Sequence, residues 1–295
     1  MQKSTDPIVY RGMTANQISE GYDDNLTIPN FTSLLQENRE RAKVLKDKLN
    51  PVQDVAYGKE SIQKLDIYAP KDAKELPVLI DIHGGGWTAG SKNPRAIPAE
   101  AIMSQGVIWV PIDYGLAPEY GMEDMISHVR SAIGWIYKNI AQYGGDPARL
   151  YISGQSSGGH LAATTLMPNW HEAFGVPDNV IKGIIALSGI YDLDGLIFSS
   201  KNETQQTLQL TTEEARRFSP FYHLPKKSIS SIIAYGDKEP LLYAREAKGY
   251  AEELENTGHK VSLIEVPDAN HFDMINTLAI SDGHLFKAVM KMIFS

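Results

Sequence analysis

Residues 150–160 read Leu-Tyr-Ile-Ser-Gly-Gln-Ser-Ser-Gly-Gly-His. The β-prone start and the glycines after it predict a short strand that turns sharply into a helix. Such a turn requires glycine because a Cβ would clash with the neighbouring backbone. It would expose Ser156 at the helix N-terminus, where free N–H groups favour developing negative charge. The stretch therefore predicts Ser156 as an activated nucleophile.

A second glycine-rich segment, His-Gly-Gly-Gly-Trp at residues 83–87, directly follows the predicted strand Val78–Ile82. Consecutive glycines allow backbone N–H groups to approach a substrate oxygen without obstruction by side chains. We expect the N–H groups of Gly85 and Gly86 to bind the oxyanion of a tetrahedral intermediate. The N–H group of Ser157, the residue after the nucleophile, is the predicted third donor.

Strand and helix patterns alternate along the chain from residue 52 onwards. Strands are predicted at Val52–Tyr57, Lys64–Tyr68, Val78–Ile82, Val107–Ile112, Leu150–Ser153, Ile181–Ser188, Ile229–Tyr235 and Lys260–Val266, and helices at 121–141, 157–167, 241–257 and the C-terminus. The first two strands are expected to form an antiparallel pair. The regular alternation predicts an α/β fold with a mostly parallel sheet and helices on both faces.

Two segments stand outside this alternation. Residues 193–228 are too long for a simple connection, and we expect them to form a small cap. Residues 31–49 have the apolar spacing of an amphipathic helix that ends at Asn50-Pro51. The predicted division is an N-terminal helical arm at 1–50 and one domain at 51–295. The arm could lie over the core, cover the active site as part of the cap, or mediate a homodimer.

Composition excludes several classes of protein. The formal net charge of −8 argues against a nucleic-acid or anionic-membrane partner, and the absence of cysteine excludes disulfides and thiolate nucleophiles. The sequence has no His-Glu-x-x-His motif, no phosphate-binding loop and no dinucleotide fingerprint, so we expect neither a metal nor another cofactor. No signal peptide or apolar run of about 20 residues is present, which favours a cytoplasmic protein.

Three segments resemble the hormone-sensitive-lipase-like esterases of the α/β-hydrolase superfamily: His83–Trp87, Asp113–Glu119 and Gly154–Gly159. Gly115 departs from the arginine usual in that family, and Gln155 departs from its usual aspartate. The run Gln155–Leu161, and the early Tyr22–Asn25 followed by Ile28-Pro29, are more similar to the arylformamidase (kynurenine formamidase-like) branch. The resemblance implies an α/β-hydrolase fold, a catalytic triad in the order Ser, acid, His, and no cofactor.

The predicted base is His271, because it follows the last predicted strand, where this fold places its histidine. His128 and His160 fall within predicted helices, and His83 is expected to organise its loop. His259 precedes a strand and His284 lies near the final helix.

The predicted acid lies in the loop after the strand Ile229–Tyr235. Members of the resembled family commonly have Gly-x-x-Asp-Pro-Leu there, which aligns Glu239 with the acid. Asp237, two residues earlier, is the alternative, and Asp268 is a weaker one that reads as a turn residue. Glu239 or Asp237 would orient His271 and stabilise its imidazolium form.

The resemblance implies hydrolysis of a small carboxylic ester or an aryl amide through an acyl-enzyme. The expected substrate is a small molecule that is neutral or aromatic. Five aromatic residues could line its pocket or pack in the core and cap: Trp87, Trp170, Phe198, Phe221 and Tyr222. The alternative function is a binding module that has the fold but no catalytic activity.

Overall fold

The computed structural model describes residues 7–23, 28, 30–199 and 203–295, and in these residues eight strands form one mostly parallel sheet. The strands of the described chain are β1 (Ile8–Tyr10), β2 (Met13–Thr14), β3 (Val52–Ala56), β4 (Lys64–Ile67), β5 (Leu76–Ile82), β6 (Ile108–Ile112), β7 (Gly145–Gln155), β8 (Ile181–Leu187), β9 (Ser230–Gly236) and β10 (Lys260–Val266). The order across the sheet is β10-β9-β8-β7-β5-β6-β4-β3, while β1 and β2 form a separate hairpin.

The helices of the same residues are α1 (Ala15–Gly21), α2 (Phe31–Leu49), α3 (Ala99–Ser104), α4 (Met122–Asn139), α5 (Ser157–Thr164), α6 (Asp194–Ile197), α7 (Glu203–Leu208), α8 (Thr212–Phe218), α9 (Leu241–Asn256), α10 (Asp273–Asn276) and α11 (His284–Phe294). They lie on both faces of the sheet, so the predicted fold class is confirmed. The antiparallel pairing predicted for the first two strands is also confirmed, because β4 pairs antiparallel with β3 and with β6.

The alternation of side chains along each strand divides the apolar core into two layers. In β5, Val78, Ile80 and Ile82 face one layer, which α4, α5 and α9 complete. Leu79 faces the other layer, which α2, α3, α10 and α11 complete. Complete burial of each such side chain stabilises the fold by roughly 1.5–3 kcal/mol.

The N-terminal arm has two parts with different neighbours. The prediction of a helix at 31–49 is confirmed by α2, which ends where Asn50 adopts a left-handed conformation. Ala42 of α2 packs in the same core layer as Ile97 and Ala99, so this helix lies over the sheet. The hairpin β1–β2 and helix α1, which the sequence analysis did not predict, instead pack against Leu242 at the start of α9.

Residues 193–228 contain the short helices α6, α7 and α8, and we refer to them as the insertion segment. That this segment acts as a cap stays a prediction. Of the arylformamidase-like motif at Tyr22–Asn25 and Ile28-Pro29, the residues Asp24, Asn25 and Pro29 lie outside the described residues. Across the described ranges, no helix has both the length and the hydropathy needed to cross a bilayer.

Candidate active site

Ser156 lies at the turn between β7 and α5 in a strained conformation, with φ of 58° and ψ of −126°. Its N–H donates to the carbonyl of Leu187 at the end of β8 (2.8 Å), which fixes the turn to the sheet. A Cβ on Gly154 would lie 2.1 Å from the carbonyl oxygen of Gly158, so glycine is required there. Strain of this kind is common where a fold must present a reactive side chain.

His271 follows β10, and its ring is fixed on two sides. Nδ1–H of His271 donates to Oε1 of Glu239 (2.5 Å), and both side chains are almost fully buried. The ring of Tyr243, on the first turn of α9, stacks on the imidazole with 4.2 Å between the centroids. Because Nδ1 carries the proton, Nε2 is left as the basic nitrogen.

Glu239 accepts two further hydrogen bonds through its other oxygen, from Ser188 Oγ (2.9 Å) and from the backbone N–H of Gly236 (2.6 Å). Asp237 is exposed, and its backbone N–H donates to the carbonyl of Val266 (3.1 Å). Asp268 is 87% exposed and pairs with Lys238 (2.7 Å). Of the three candidate acids, Glu239 is the one whose carboxylate contacts His271.

The glycine-rich loop lies against the turn that carries Ser156. A Cβ on Gly84 would lie 3.1 Å from the Cβ of Ser156, and Gly85 has a φ of 127° that only glycine readily adopts. His83 donates from Nδ1 to the carbonyl of Gly84 (2.8 Å), and burial lowers its pKa to about 4. This buried, neutral histidine organises the loop, in agreement with the prediction for it.

His160, on the second turn of α5, links the glycine-rich loop to the insertion segment. Its Nδ1 accepts from Nε1–H of Trp87 (3.2 Å), and its Nε2–H donates to the carbonyl of Phe218 at the end of α8 (2.8 Å). Burial lowers the pKa of His160 to about 4, so the ring is neutral. A Cβ on Gly86 would lie 2.9 Å from Oγ1 of Thr204, which places α7 beside the same loop.

The site thus brings together a strained serine at a helix N-terminus, a buried histidine–carboxylate pair and a glycine-rich loop. The BD-FAE family profile matches residues 65–254, which span this arrangement up to α9. The chain belongs to the BD-FAE family.

Relatives of this family member match most of its length. The chain is 32% identical to kynurenine formamidase of Salmo salar, a match that covers 96% of this chain and 94% of the relative. It is also 32% identical to kynurenine formamidase of Danio rerio, over 88% of this chain and 87% of the relative. Esterase LipQ of Mycobacterium tuberculosis is 29% identical over 76% of this chain and 58% of its own length.

Solved structures agree on the fold. A provisionally assigned thioesterase from Silicibacter sp. TM1040 superposes with a TM-score of 0.80 at 20% identity, covering 95% of this chain and all of that one. A hyperthermophilic esterase from Pyrobaculum calidifontis has a TM-score of 0.66 at 18% identity, covering 90% and 92%. With the sequence relatives, these matches show that this BD-FAE member is a serine hydrolase of the α/β-hydrolase fold.

The five aromatic residues considered for the pocket have structural contacts elsewhere. Trp87 and Trp170 are buried in the core layer of α4, α5 and α9. Phe198 stacks on Tyr10 of the arm, with 6.2 Å between ring centroids. The other two, Phe221 and Tyr222, contact Arg11 and Asp192 respectively. Each of the five thus has a contact in the core or at the joint between the arm and the insertion segment, although Phe198 and Tyr222 are 36% and 44% exposed.

The arm is fixed to the insertion segment by a buried carboxylate that the sequence analysis did not identify. Asp192 accepts from Tyr10 Oη (2.5 Å), Arg11 Nη2 (2.6 Å) and Tyr222 Oη (3.1 Å). A second buried carboxylate, Glu246 of α9, accepts from the backbone N–H groups of the neighbouring Tyr191 and Asp192 (2.8 and 3.0 Å).

Tyr22 links the contacts of Asp192 and Glu246 to His271, the candidate catalytic histidine. Its hydroxyl donates to Glu246 Oε1 (3.4 Å), and its ring meets Tyr243 edge to face, with 5.7 Å between the centroids. Tyr243 in turn stacks on His271. Tyr22 was singled out in the sequence only through the arylformamidase-like motif, and its spacing gave no sign of this contact.

Proposed function

We propose that Ser156, His271 and Glu239 form a catalytic triad that hydrolyses small carboxylic esters and N-formyl aryl amines. The observation that carries the proposal is the buried hydrogen bond from His271 Nδ1 to Glu239. It leaves Nε2 free of its proton, which a general base for the Ser156 hydroxyl requires. The strained turn at Ser156 presents that hydroxyl at the carboxyl edge of the sheet.

In the proposed mechanism His271 removes the proton of Ser156 Oγ as the oxygen attacks the substrate carbonyl. The backbone N–H groups of Gly85, Gly86 and Ser157 bind the oxyanion. His271 then returns the proton to the leaving alcohol or arylamine, which departs and leaves an acyl-serine. Water, deprotonated by the same histidine, releases the acid and restores Ser156. Each oxyanion donor contributes on the order of 100- to 1000-fold to the rate.

Among these substrates we favour an N-formyl aryl amine of the kynurenine formamidase type. The match to the Salmo salar formamidase covers 96% of this chain and therefore includes most of the arm, and the match to the Danio rerio formamidase covers 88%. The esterase relative matches over a smaller part, 76% of this chain. Because Tyr22 of the arm contacts Tyr243, the arm lies close to the site. A relative that shares the arm is therefore the better indication of the substrate.

The test compares wild-type protein with Ser156→Ala on p-nitrophenyl acetate and N-formylkynurenine. We expect turnover of both to fall by several orders of magnitude, since loss of a serine nucleophile costs up to about 10⁶-fold in kcat. Ser104→Ala, on the exposed side of α3, is the matched control and should retain full activity.

A fluorophosphonate probe separates the possible failures. Labelling of Ser156 without turnover of either substrate would mean that Ser156 is reactive and that the proposed substrate class is wrong. Absence of labelling, or full activity of Ser156→Ala, would exclude Ser156 as the nucleophile. A higher kcat/KM for the ester than for the formamide would favour a carboxylesterase over an arylformamidase.

A further inference from the structure

Gln155, the last residue of β7, uses both ends of its amide. Nε2–H donates to the backbone carbonyl of His271 (2.5 Å), and Oε1 accepts from Arg95 Nη1 (3.2 Å). The side chain is only 7% exposed. Gln155 is covalently bonded to Ser156, so one buried side chain connects the nucleophile turn with the loop that carries the base.

Arg95 is itself fixed by a buried ion pair. Its Nε and Nη2 donate to the two oxygens of Asp81 (2.6 and 2.9 Å), and Asp81 is fully buried on β5. Ser153 Oγ also donates to Asp81 (2.8 Å), and these two residues are paired in the register of β5 and β7. A bidentate guanidinium–carboxylate pair has little freedom to rotate, so Arg95 offers Gln155 a donor at a fixed position.

We infer that Gln155 is a positioning residue, which sets the distance between Ser156 Oγ and His271 Nε2 through the hydrogen bond to the His271 carbonyl. The inference rests on the proposed function, because it assigns a role within that triad. Glu239 and Tyr243 fix the orientation of the imidazole. Gln155 fixes the backbone of His271 itself. The loop after β10 is thereby held by a hydrogen bond to the end of β7, next to Ser156.

The chemistry of the two partners selects an amide at this position. One partner is a guanidinium donor and the other is a carbonyl acceptor, and an amide is both an acceptor and a donor. A carboxylate could accept from Arg95, but its second oxygen would face the carbonyl oxygen of His271. A side chain shorter by one methylene could not span the two partners. The two partners therefore require an amide of this length at residue 155.

The decisive variant is Gln155→Met, which retains the volume of the side chain and removes both hydrogen bonds. We expect kcat to fall about 10- to 100-fold while KM changes by less than about threefold, since small misplacements of catalytic groups act on the chemical step. Gln155→Glu should show the same separation of kcat from KM, because it retains the Arg95 contact and loses the donor to His271.

The matched control is Gln63→Met. Gln63 is also 7% exposed, and its Oε1 accepts from the backbone N–H of Glu60 (3.0 Å) in the turn between β3 and β4. The variant Gln63→Met therefore loses a buried amide contact at the edge of the sheet formed by β3 and β4, away from β7. We expect the melting temperature of Gln63→Met to fall by about as much as that of Gln155→Met, while its kcat stays at the wild-type value. An equal loss of kcat in both variants would mean that Gln155 contributes only to stability, which would overturn the inference.

A second measurement needs no substrate. The His271 Nδ1 proton, hydrogen-bonded to buried Glu239, should give a low-field proton resonance that disappears in Glu239→Gln. We expect Gln155→Met to shift or broaden this resonance and Gln63→Met to leave it unchanged. An unaltered resonance together with wild-type kcat would refute the inference. If wild type hydrolyses none of the substrates but the resonance responds to Gln155→Met, the proposed function fails, and only the effect of Gln155 on the position of the His271 side chain stands. Should Gln155→Met not fold, Gln155→Glu carries both measurements.

Discussion

At the scale of single residues, the arrangement around Glu239 determines what the histidine can do. Its carboxylate accepts three hydrogen bonds, from His271, Ser188 and Gly236, and its side chain is 1% exposed. A buried carboxylate is tolerated only when its oxygens have such donors. A negative charge fixed beside Nδ1 stabilises the imidazolium that forms when His271 takes a proton.

We therefore predict that Glu239→Gln lowers kcat by on the order of 10⁴-fold, because a neutral amide neither stabilises the imidazolium nor selects the required tautomer. Asp237→Asn, the control two residues earlier and exposed, should stay within about twofold of wild type. Steady-state kinetics on p-nitrophenyl acetate measure both. The reverse pattern would transfer the role of the acid to Asp237.

Residues of this site differ in how far the sequence reveals them. Ser156 and the loop at 83–87 lie in local patterns, because the tight turns of the backbone demand glycine at fixed spacings. The contacts of Gln155 with His271 and of Tyr243 with His271 join residues on separate elements. Nothing in local spacing encodes such contacts, so they became visible only in the folded chain.

At the scale of elements, the arm and α9 meet at a buried carboxyl group. Burial raises the pKa of Glu246 to about 7, and the negative charge of Asp192 adds to this effect. The hydrogen bonds from the backbone of Tyr191 and Asp192 and the charge of Arg11 act in the opposite direction. Tyr22 of the arm also contacts this group. The state of the Glu246 proton is therefore coupled to how well the arm is held against α9.

This coupling predicts a pH dependence of stability. Between about pH 4.5 and 7 the folded chain retains a proton on Glu246 that the unfolded chain has lost, so stability falls as pH rises. Over that interval Glu246 lowers the free energy of unfolding by roughly 3 kcal/mol. Glu246→Gln has no such titration and can still accept from the backbone N–H groups of Tyr191 and Asp192.

Urea unfolding of wild type and Glu246→Gln should give similar free energies at pH 5, and the variant should be the more stable at pH 8. Titrations of groups remote from Glu246 cancel in the difference between the two proteins. A difference that stays constant from pH 5 to pH 8 would show that Glu246 has an ordinary pKa.

The long elements could be predicted from the sequence, whereas several of the short ones could not. The β-branched runs of β5 and β6 and the apolar periodicity of α2 and α4 are long enough to carry a clear signal. The hairpin β1–β2 and the helices of the insertion segment span only two to seven residues each. Tertiary contacts such as Arg11 with Asp192 hold them, and such contacts leave no periodicity.

At the scale of the whole molecule, a buried lysine joins the antiparallel strands β3 and β4 to the end of the parallel strand β6. Lys92 is 2% exposed and contacts Asp54 of β3 (2.7 Å), Asp66 of β4 (3.0 Å) and Asp113 after β6 (3.8 Å). Its own backbone N–H donates to Asp113 (2.6 Å). Asp113 belongs to a motif that the sequence analysis used only for family resemblance, and its contacts here are structural.

We predict that Lys92→Met lowers the free energy of unfolding by about 3 kcal/mol, because Asp113, which is 13% exposed, loses its lysine and fully buried Asp66 keeps only Lys46. Lys48→Met removes the exposed pair with Glu100, whose side chains are 59% and 50% exposed, and should cost less than about 0.5 kcal/mol. Urea denaturation of both variants tests the difference. Equal effects would mean that Lys46, which also pairs with Asp66, compensates fully for the loss.

The contact between Trp87 and His160 gives this protein a fluorescent reporter of its own. The indole of Trp87 is 1% exposed and donates to an imidazole that also holds the carbonyl of Phe218 in the insertion segment. A protonated imidazole quenches indole emission far more than a neutral one, and water shifts that emission to longer wavelength. Separation of the insertion segment from the glycine-rich loop would therefore change the emission of Trp87, one of four tryptophans, and the difference in stopped-flow fluorescence between wild type and Trp87→Phe isolates that change.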